Sequence, residues 1–188
     1  PKLFGISSEN AAHRIAVTWG DREGVYIPRR DSGSLVNQIA GGRLFPGEHH
    51  RAHFRVVESN DRVELHMKSA DGVVEIDVAG TVTDALPASS RFDSVAQASA
   101  FFEPGSLGYS ATAGGTHLDG IILKTLNWSV EPLSVEYVSS TFFTDTSSFP
   151  AGSVEFDCAL LMRNIEHEWH AASEMYVDKK PYVPVDQA

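Results

Sequence analysis

The stretch HHRAHFRVVESNDRVELHMKSADGVVEIDVAGTV, residues 49–82, contains three segments in which apolar and polar residues alternate. Successive side chains of a β-strand point to opposite faces, so this alternation predicts half-buried strands. The short polar sequences SND and SADG separate the segments, and Ser, Asn, Asp and Gly favour tight turns. We therefore predict a hairpin from 49–58 and 62–69, followed by a third strand over 72–82.

Strand patterns also dominate the rest of the chain. The segments 14–19 and 24–29 are apolar runs separated by Gly-Asp-Arg-Glu, which predicts another hairpin. Later strands are predicted at 120–130, 133–143 and 153–163. Many strands with few helices favour a mainly β fold, either an antiparallel barrel or a sandwich with helices covering one end.

Two segments, 32–42 and 93–103, have the pattern of short helices. The second has Asp93 or Ser94 as a candidate N-cap and is followed by Pro-Gly, which ends helices. The tail 174–188 contains two prolines, so we expect it to be extended. Neither a repeat nor a linker is evident, and we predict a single domain over 1–188.

Charge and composition narrow the functional classes. The 188 residues include 25 acidic and 15 basic ones, which gives a net charge of -10. Nucleic-acid binding requires clustered Lys and Arg, so nucleic acid is not an expected partner. An anionic membrane surface would repel the chain, and no apolar run reaches the roughly 18 residues of a membrane helix. We expect a globular protein without a membrane partner, and homo-oligomerisation is left open.

The single cysteine, Cys158, lies among apolar and acidic neighbours, which predicts a buried and unreactive thiol. A lone cysteine fits the cytosol, and we predict a cytoplasmic protein. The first residues carry no basic-then-apolar signal pattern and no Met, so we expect the native N-terminus to be missing or processed.

Three histidines cluster in the sequence EHHRAH, residues 48–53. Alternation places Glu48 and His50 on the inward face of the strand, and His49 and His53 on the outward face. His49 and His53 are separated by about 13 Å along a strand, too far for one metal ion. We predict neither a metal site nor a cofactor here, although the sequence EHEWH at 166–170 could bind a divalent metal if it formed a helical turn.

The segments GVYIPRRDSGSL, GGRLFPGEHHRAHFRV, SVAQASAFFEPGSLGYSA and VEFDCALLMRNIEHEW resemble a family of uncharacterised bacterial proteins called YqjF-like. That family is similar in fold to acetoacetate decarboxylase. The resemblance covers roughly residues 5 to 170. It implies a cone-shaped, mostly antiparallel β-barrel around a ligand cavity.

Acetoacetate decarboxylase acts through a lysine that forms a Schiff base, and this lysine is absent here. The matching stretch is GYSAT, in which Tyr109 takes the aromatic place, Ser110 the proline and Ala111 the lysine. Alanine cannot form an imine. The next lysine is Lys124, inside a predicted strand whose two faces are both largely apolar, so its direction is left open.

The resemblance also implies that Glu48 is a cavity carboxylate, because acetoacetate decarboxylase-like proteins carry an acidic residue at the matching place. Arg43 follows two glycines and is a candidate for holding a ligand carboxylate. One of Arg29 and Arg30 could face the cavity as well, or pair with the adjacent Asp31.

We therefore expect a protein that binds a small organic molecule, such as a carboxylate, in a barrel cavity, with no Schiff-base chemistry. The expected ligand-binding residues are Arg43, Glu48, His50, Tyr109, Ser110 and Ala111. One alternative is a lyase-like or dehydratase-like enzyme in which Glu48 is the acid or base. Another is a structural or interaction protein whose barrel is filled by its own side chains.

Overall fold

The fold comes from a computed structural model that describes residues 9–33, 47, 49–112 and 117–176. Ten strands are Asn10–Trp19 (β1), Arg22–Ser32 (β2), His49–Glu58 (β3), Arg62–Ser69 (β4), Glu75–Val82 (β5), Leu107–Ala111 (β6), His117–Thr125 (β7), Glu131–Ser140 (β8), Ala159–Leu161 (β9) and His167–Tyr176 (β10). The helices are Val95–Phe102 (α1), a 3-10 turn at Glu103–Ser106, and Thr141–Thr144 (α2). The prediction of a mainly β protein is confirmed. Within the described ranges, no helix is both long and apolar enough to cross a membrane.

The strands form one sheet in the order β10-β7-β6-β2-β3-β4-β5-β8-β9, and β1 pairs with β2 as well. Strand β2 runs parallel to β6 around Val25 and Tyr26, and parallel to β3 from Arg30 to Ser32. The prediction of an antiparallel sheet is therefore wrong at these two pairings. Strands β9 and β10 end the order without pairing to each other in the described part of the chain, so the sheet is open rather than a closed barrel.

The predicted meander is confirmed, since β3, β4 and β5 pair antiparallel in sequence order. The third strand begins at Glu75 rather than at the predicted residue 72. Ser69 causes this delay, because its backbone N–H donates to Val74 O (2.8 Å) and its hydroxyl accepts from Val74 N–H (2.8 Å). These two bonds close a loop between Ser69 and Val74, and the pairing of β5 with β4 begins only after it.

Helix α1 confirms the second helix prediction. The Ser94 hydroxyl accepts a hydrogen bond from the Gln97 backbone N–H at 3.1 Å, which satisfies one of the free donors of the first turn. Ala98 is the buried residue of the helix. The helix predicted at 32–42 lies outside the described residues from 34 onwards, and Ser32 is the last residue of β2.

Three predicted strands are shorter than expected. Strand β7 ends at Thr125 because the Asn127 side chain bonds the backbone of Asn164 and Glu166 and turns the chain out of the sheet. Strand β8 ends at Ser140, because α2 begins at Thr141. Of 153–163 only Ala159–Leu161 is a strand, since Asp157 bonds Ser90 and the Arg91 N–H instead.

The sequence EHEWH lies on β10 and forms no helical turn. On a strand, residues three apart point to opposite faces, so His167 and His170 diverge. His170 Nε2 instead contacts Glu168 Oε2 at 3.1 Å. The alternative that His167, Glu168 and His170 bind a divalent metal on a helical turn is therefore wrong.

The core lies against the inward face of the meander. Ala52, Met67 and Val74 are buried together, and Phe54 and Ile76 pack against them. Partly buried Ala11 and Phe142 complete this cluster. The outward residues Arg51, His53 and Arg55 are exposed, as the alternation predicts.

Candidate functional site

A buried charge network links β1, β2, β3 and the turn before β5. Its five members are His13, Arg29, Asp31, His50 and Asp71. Asp31 is fully buried at the centre, where His13 Nε2 lies 3.0 Å from Oδ2 and Arg29 Nη2 donates to Oδ1 at 2.8 Å. Of the two arginines next to Asp31, Arg29 is therefore the one that pairs with it.

Arg29 extends the network to Asp71, donating to its Oδ2 at 2.9 Å. Asp71 also accepts hydrogen bonds from the Ser69 hydroxyl and the Val73 N–H. His50 Nδ1 lies 3.2 Å from Asp71 Oδ2 at the half-exposed edge. The network therefore connects the parallel pairing of β2 and β3 to the β4–β5 loop.

Hydrogen bonding keeps both aspartates of the network ionised. Burial on its own raises the pKa of Asp31, but the hydrogen bonds from His13 and Arg29 outweigh it and hold that pKa below its ordinary value. Burial also acts to raise the pKa of Asp71, yet Ser69, the Val73 N–H and Arg29 hold it well below its usual range.

Stability should therefore fall steeply in acid. A carboxyl whose pKa is lower in the folded state stabilises the fold above its unfolded pKa of about 3.9, and that contribution is lost as the pH falls towards the folded value. We expect the melting temperature to drop as the pH falls from about 4 towards 2. Asp71→Asn should flatten this part of the profile of melting temperature against pH, and an unchanged profile would contradict the assignment.

Arg30 lies on the other side of β2 from Arg29, as strand alternation requires, and is 8% exposed. Burial and the nearby positive charge of Arg14 lower the pKa of Arg30 to about 10. Burial also lowers the pKa of Arg14, although part of its side chain is solvent-accessible. The charge of Arg14 therefore acts on Arg30 at this side of the sheet.

A cavity of about 580 Å³ opens beside Arg14. Its apolar lining is formed by Phe102, Leu123, Trp128, Val130, Leu160, Met162 and Ile165. The other lining residues are Glu103, Ser106, Thr125, Cys158 and His167. Trp128 is fixed in place because its Nε1–H donates to the Ser99 hydroxyl on α1 at 2.8 Å. The arrangement provides one arginine on a largely apolar surface.

The predicted residues of β6 are mainly buried and do not line this cavity. Tyr109 is 4% exposed and packs edge-on against Trp19, with ring centroids 5.1 Å apart. Ser110 is 1% exposed, and its hydroxyl has no hydrogen-bond partner among the described residues. Ala111 is half-buried at the end of the strand.

Gly47 lies directly over Ser110. Its φ of 98° suits glycine, and a Cβ there would lie 2.6 Å from Ser110 Cβ. The same position lies 3.8 Å from Arg30 Nε, so Gly47, Ser110 and Arg30 form one close contact. Any larger residue at 47 would have to displace Ser110.

The remaining residues that the sequence analysis considered for the ligand site are Arg43, Glu48, His50 and Lys124. Arg43 and Glu48 lie outside the described residues. His50 belongs to the buried charge network. Lys124 is exposed, and since its neighbours Leu123 and Thr125 line the cavity, alternation directs it away.

Cys158 lines the cavity, half-buried, and burial raises the pKa of its thiol to about 11. The raised pKa agrees with a thiol of low reactivity, because the thiolate is the reactive form, whereas the predicted burial is only partial.

Sequence reasoning missed Arg14 and the cavity lining. Arg14 lies at a shift in the β1–β2 register between His13 and Ile15, so its direction does not follow from regular alternation. The lining residues come from separate parts of the chain and share no motif. The signal that could have pointed to Arg14 was its position as a charged residue at the start of the largely apolar segment 14–19.

Comparison of the chain with family models, with curated proteins and with solved structures finds no match. The resemblance to YqjF-like proteins therefore stays a prediction.

Proposed function

We propose that this protein binds a small organic anion with an apolar body, and that it does so without a lysine imine. The observation that carries the proposal is Arg14 at the edge of a largely apolar cavity. A guanidinium forms charge-assisted hydrogen bonds with a carboxylate, and the apolar lining suits an apolar body. Arg14 would contact the carboxylate, with the charge of Arg30 adding to the attraction.

The size and lining of the cavity support a ligand of this kind. A volume of about 580 Å³ lies within the roughly 300–1,000 Å³ typical of small-molecule sites. The fixed indole of Trp128 offers a flat apolar wall for an aromatic or aliphatic body. Glu103 also borders the cavity and disfavours a second negative charge, which points to a monocarboxylate.

The absence of imine chemistry rests on three positions. Ala111 occupies the place that the resemblance gives to the Schiff-base lysine. Lys124 is exposed and points away from the cavity. Cys158 has its pKa raised, so it is a poor substitute nucleophile. An acid or base role for Glu48 stays a prediction, and the open cavity counts against an interior filled by its own side chains.

Arg14→Gln is the direct test of this proposal. We expect phenylacetate and octanoate to bind more tightly than 2-phenylethanol and octanol, measured by calorimetry and by tryptophan fluorescence. A charge-assisted hydrogen bond contributes about 1.5–3 kcal/mol, so Arg14→Gln should weaken carboxylate binding by roughly tenfold or more and leave alcohol binding unchanged.

Arg55→Gln is the matched control, because Arg55 is an exposed arginine on the outward face of β3. It should leave both classes of probe unaffected. The proposal fails if neither acid binds, or if Arg14→Gln and Arg55→Gln have equal effects.

A further inference from the structure

We infer a transition-metal site on the outward face of the meander, formed by His66 on β4 and by Glu75 and Asp77 on β5. One ligand atom from each of the three residues lies within 4.8 Å of the other two. All three side chains are partly buried. The site is separate from the cavity and from the buried charge network, since it shares no residue with either.

The strand register brings these three residues together. His66 pairs directly with Asp77, and Lys68 pairs with Glu75, across the antiparallel β4–β5 ladder. Residues two apart share a face, so Glu75 and Asp77 both lie beside His66. Their backbone positions are held by ladder hydrogen bonds on both strands, which makes the site rigid before any ion binds.

The geometry suits a small divalent ion. Zinc takes imidazole nitrogen and carboxylate oxygen at about 2.0–2.2 Å, which places its ligand atoms some 3–3.6 Å apart. The three ligand atoms lie within 4.8 Å of one another, and His66 Nδ1 is 2.7 Å from Asp77 Oδ1. An ion would replace the proton that these two atoms share, and small side-chain rotations would bring Glu75 to it.

The ligand types select the metal class. One imidazole with two carboxylates suits Zn²⁺, Co²⁺, Ni²⁺ or Cu²⁺. Calcium requires six to eight oxygen ligands and magnesium prefers oxygen ligands and its own water, so neither fits. The partial exposure leaves room for water to complete the coordination, and a net charge of -10 favours cations in general.

Lys68 is a competing cation, and Arg55 pairs with His66 across the β3–β4 ladder on the same face. Lys68 Nζ lies 3.1 Å from Glu75 Oε2, and both side chains are more than a third exposed. Such a surface pair contributes at most about 1 kcal/mol, so a metal ion can displace it. Removing the lysine should therefore strengthen metal binding at this site.

His117, Asp119 and Glu174 form a second group of close ligand atoms. It is a weaker candidate because Glu174 lies within the irregular part of the β7–β10 register and accepts a hydrogen bond from the Tyr176 hydroxyl. The His66 group, in contrast, lies on a regular ladder.

The test is titration of the full chain, purified without a histidine tag, with Co²⁺ followed by visible absorption and with Zn²⁺ followed by calorimetry. We expect saturation at one equivalent. His66→Ala and Asp77→Asn should each weaken binding by about tenfold or more, and Lys68→Ala should tighten it. Circular dichroism and thermal melting would verify that each variant is folded.

His170→Ala is the matched control, since His170 contacts Glu168 on β10, shares no residue with the His66 group and should leave the titration unchanged. The inference is overturned if no saturable binding occurs. It is equally overturned if His66→Ala binds as tightly as the wild type, or if His117→Ala is the variant that removes binding.

Discussion

Asp31→Ala should lower the free energy of unfolding by about 3–5 kcal/mol, the largest effect that we expect from a single substitution. Asp31 is fully buried and receives hydrogen bonds from Arg29, with His13 in contact on its other side. Removing one partner of a buried ion pair leaves the remaining charge desolvated and uncompensated. Arg29 would keep its contact with Asp71, and His13 would lose its acidic contact inside the fold.

Urea denaturation followed by tryptophan fluorescence measures this loss. Asp31→Asn keeps the shape and one acceptor oxygen, so it should be less destabilising than Asp31→Ala. Glu136→Gln is the control, because Glu136 pairs with Arg62 on the exposed surface and its loss should have little effect on the free energy of unfolding. A value for Asp31→Ala as small as that of Glu136→Gln would show that the network does not hold the sheet together.

Met67→Ala should destabilise the fold by about 2–5 kcal/mol. Met67 is fully buried between Ala52 and Val74, with Phe54 and Ile76 packed around it. Truncation removes buried methylene and thioether groups and leaves a cavity that the two paired strands cannot close, since their ladder bonds fix their spacing.

The control for this prediction is Met67→Leu, which nearly conserves the side-chain volume and should cost less than about 1.5 kcal/mol. The same denaturation series measures both variants. Equal losses for alanine and leucine would mean that the side chain's shape, and not its volume, matters at this position. An alanine variant as stable as the wild type would contradict the assignment of Met67 to the core.

Local patterns predicted the meander and α1 well. The alternation along β3 identified Ala52 as inward and Arg51, His53 and Arg55 as outward, and the structure agrees. The residue types offered Asp93 or Ser94 as the N-cap, and the structure shows Ser94, whose hydroxyl satisfies a free backbone N–H. These features depend on residues within a few positions of each other, which is why sequence reasoning reaches them.

The candidate site was less predictable. His50 contacts Asp71 from the β4–β5 turn, a partner that no sequence pattern indicated. The cavity was expected at β6, but its lining comes from β7, β9, the segments around Trp128 and Ile165, and Arg14 at a bulge. Such assemblies depend on contacts between distant segments, for which a single sequence carries no signal.

By itself, the sequence determined a mainly β chain, the β3–β4–β5 meander, the capped helix α1, and the absence of a lysine at position 111. These follow from alternation, turn residues and residue identity, all of which act locally. Only the tertiary structure decided that β2 pairs parallel with both β3 and β6, and that Arg14 borders a cavity formed by distant segments. Parallel and antiparallel neighbours require the same alternation within a strand, so the choice between them is made by packing of the whole sheet.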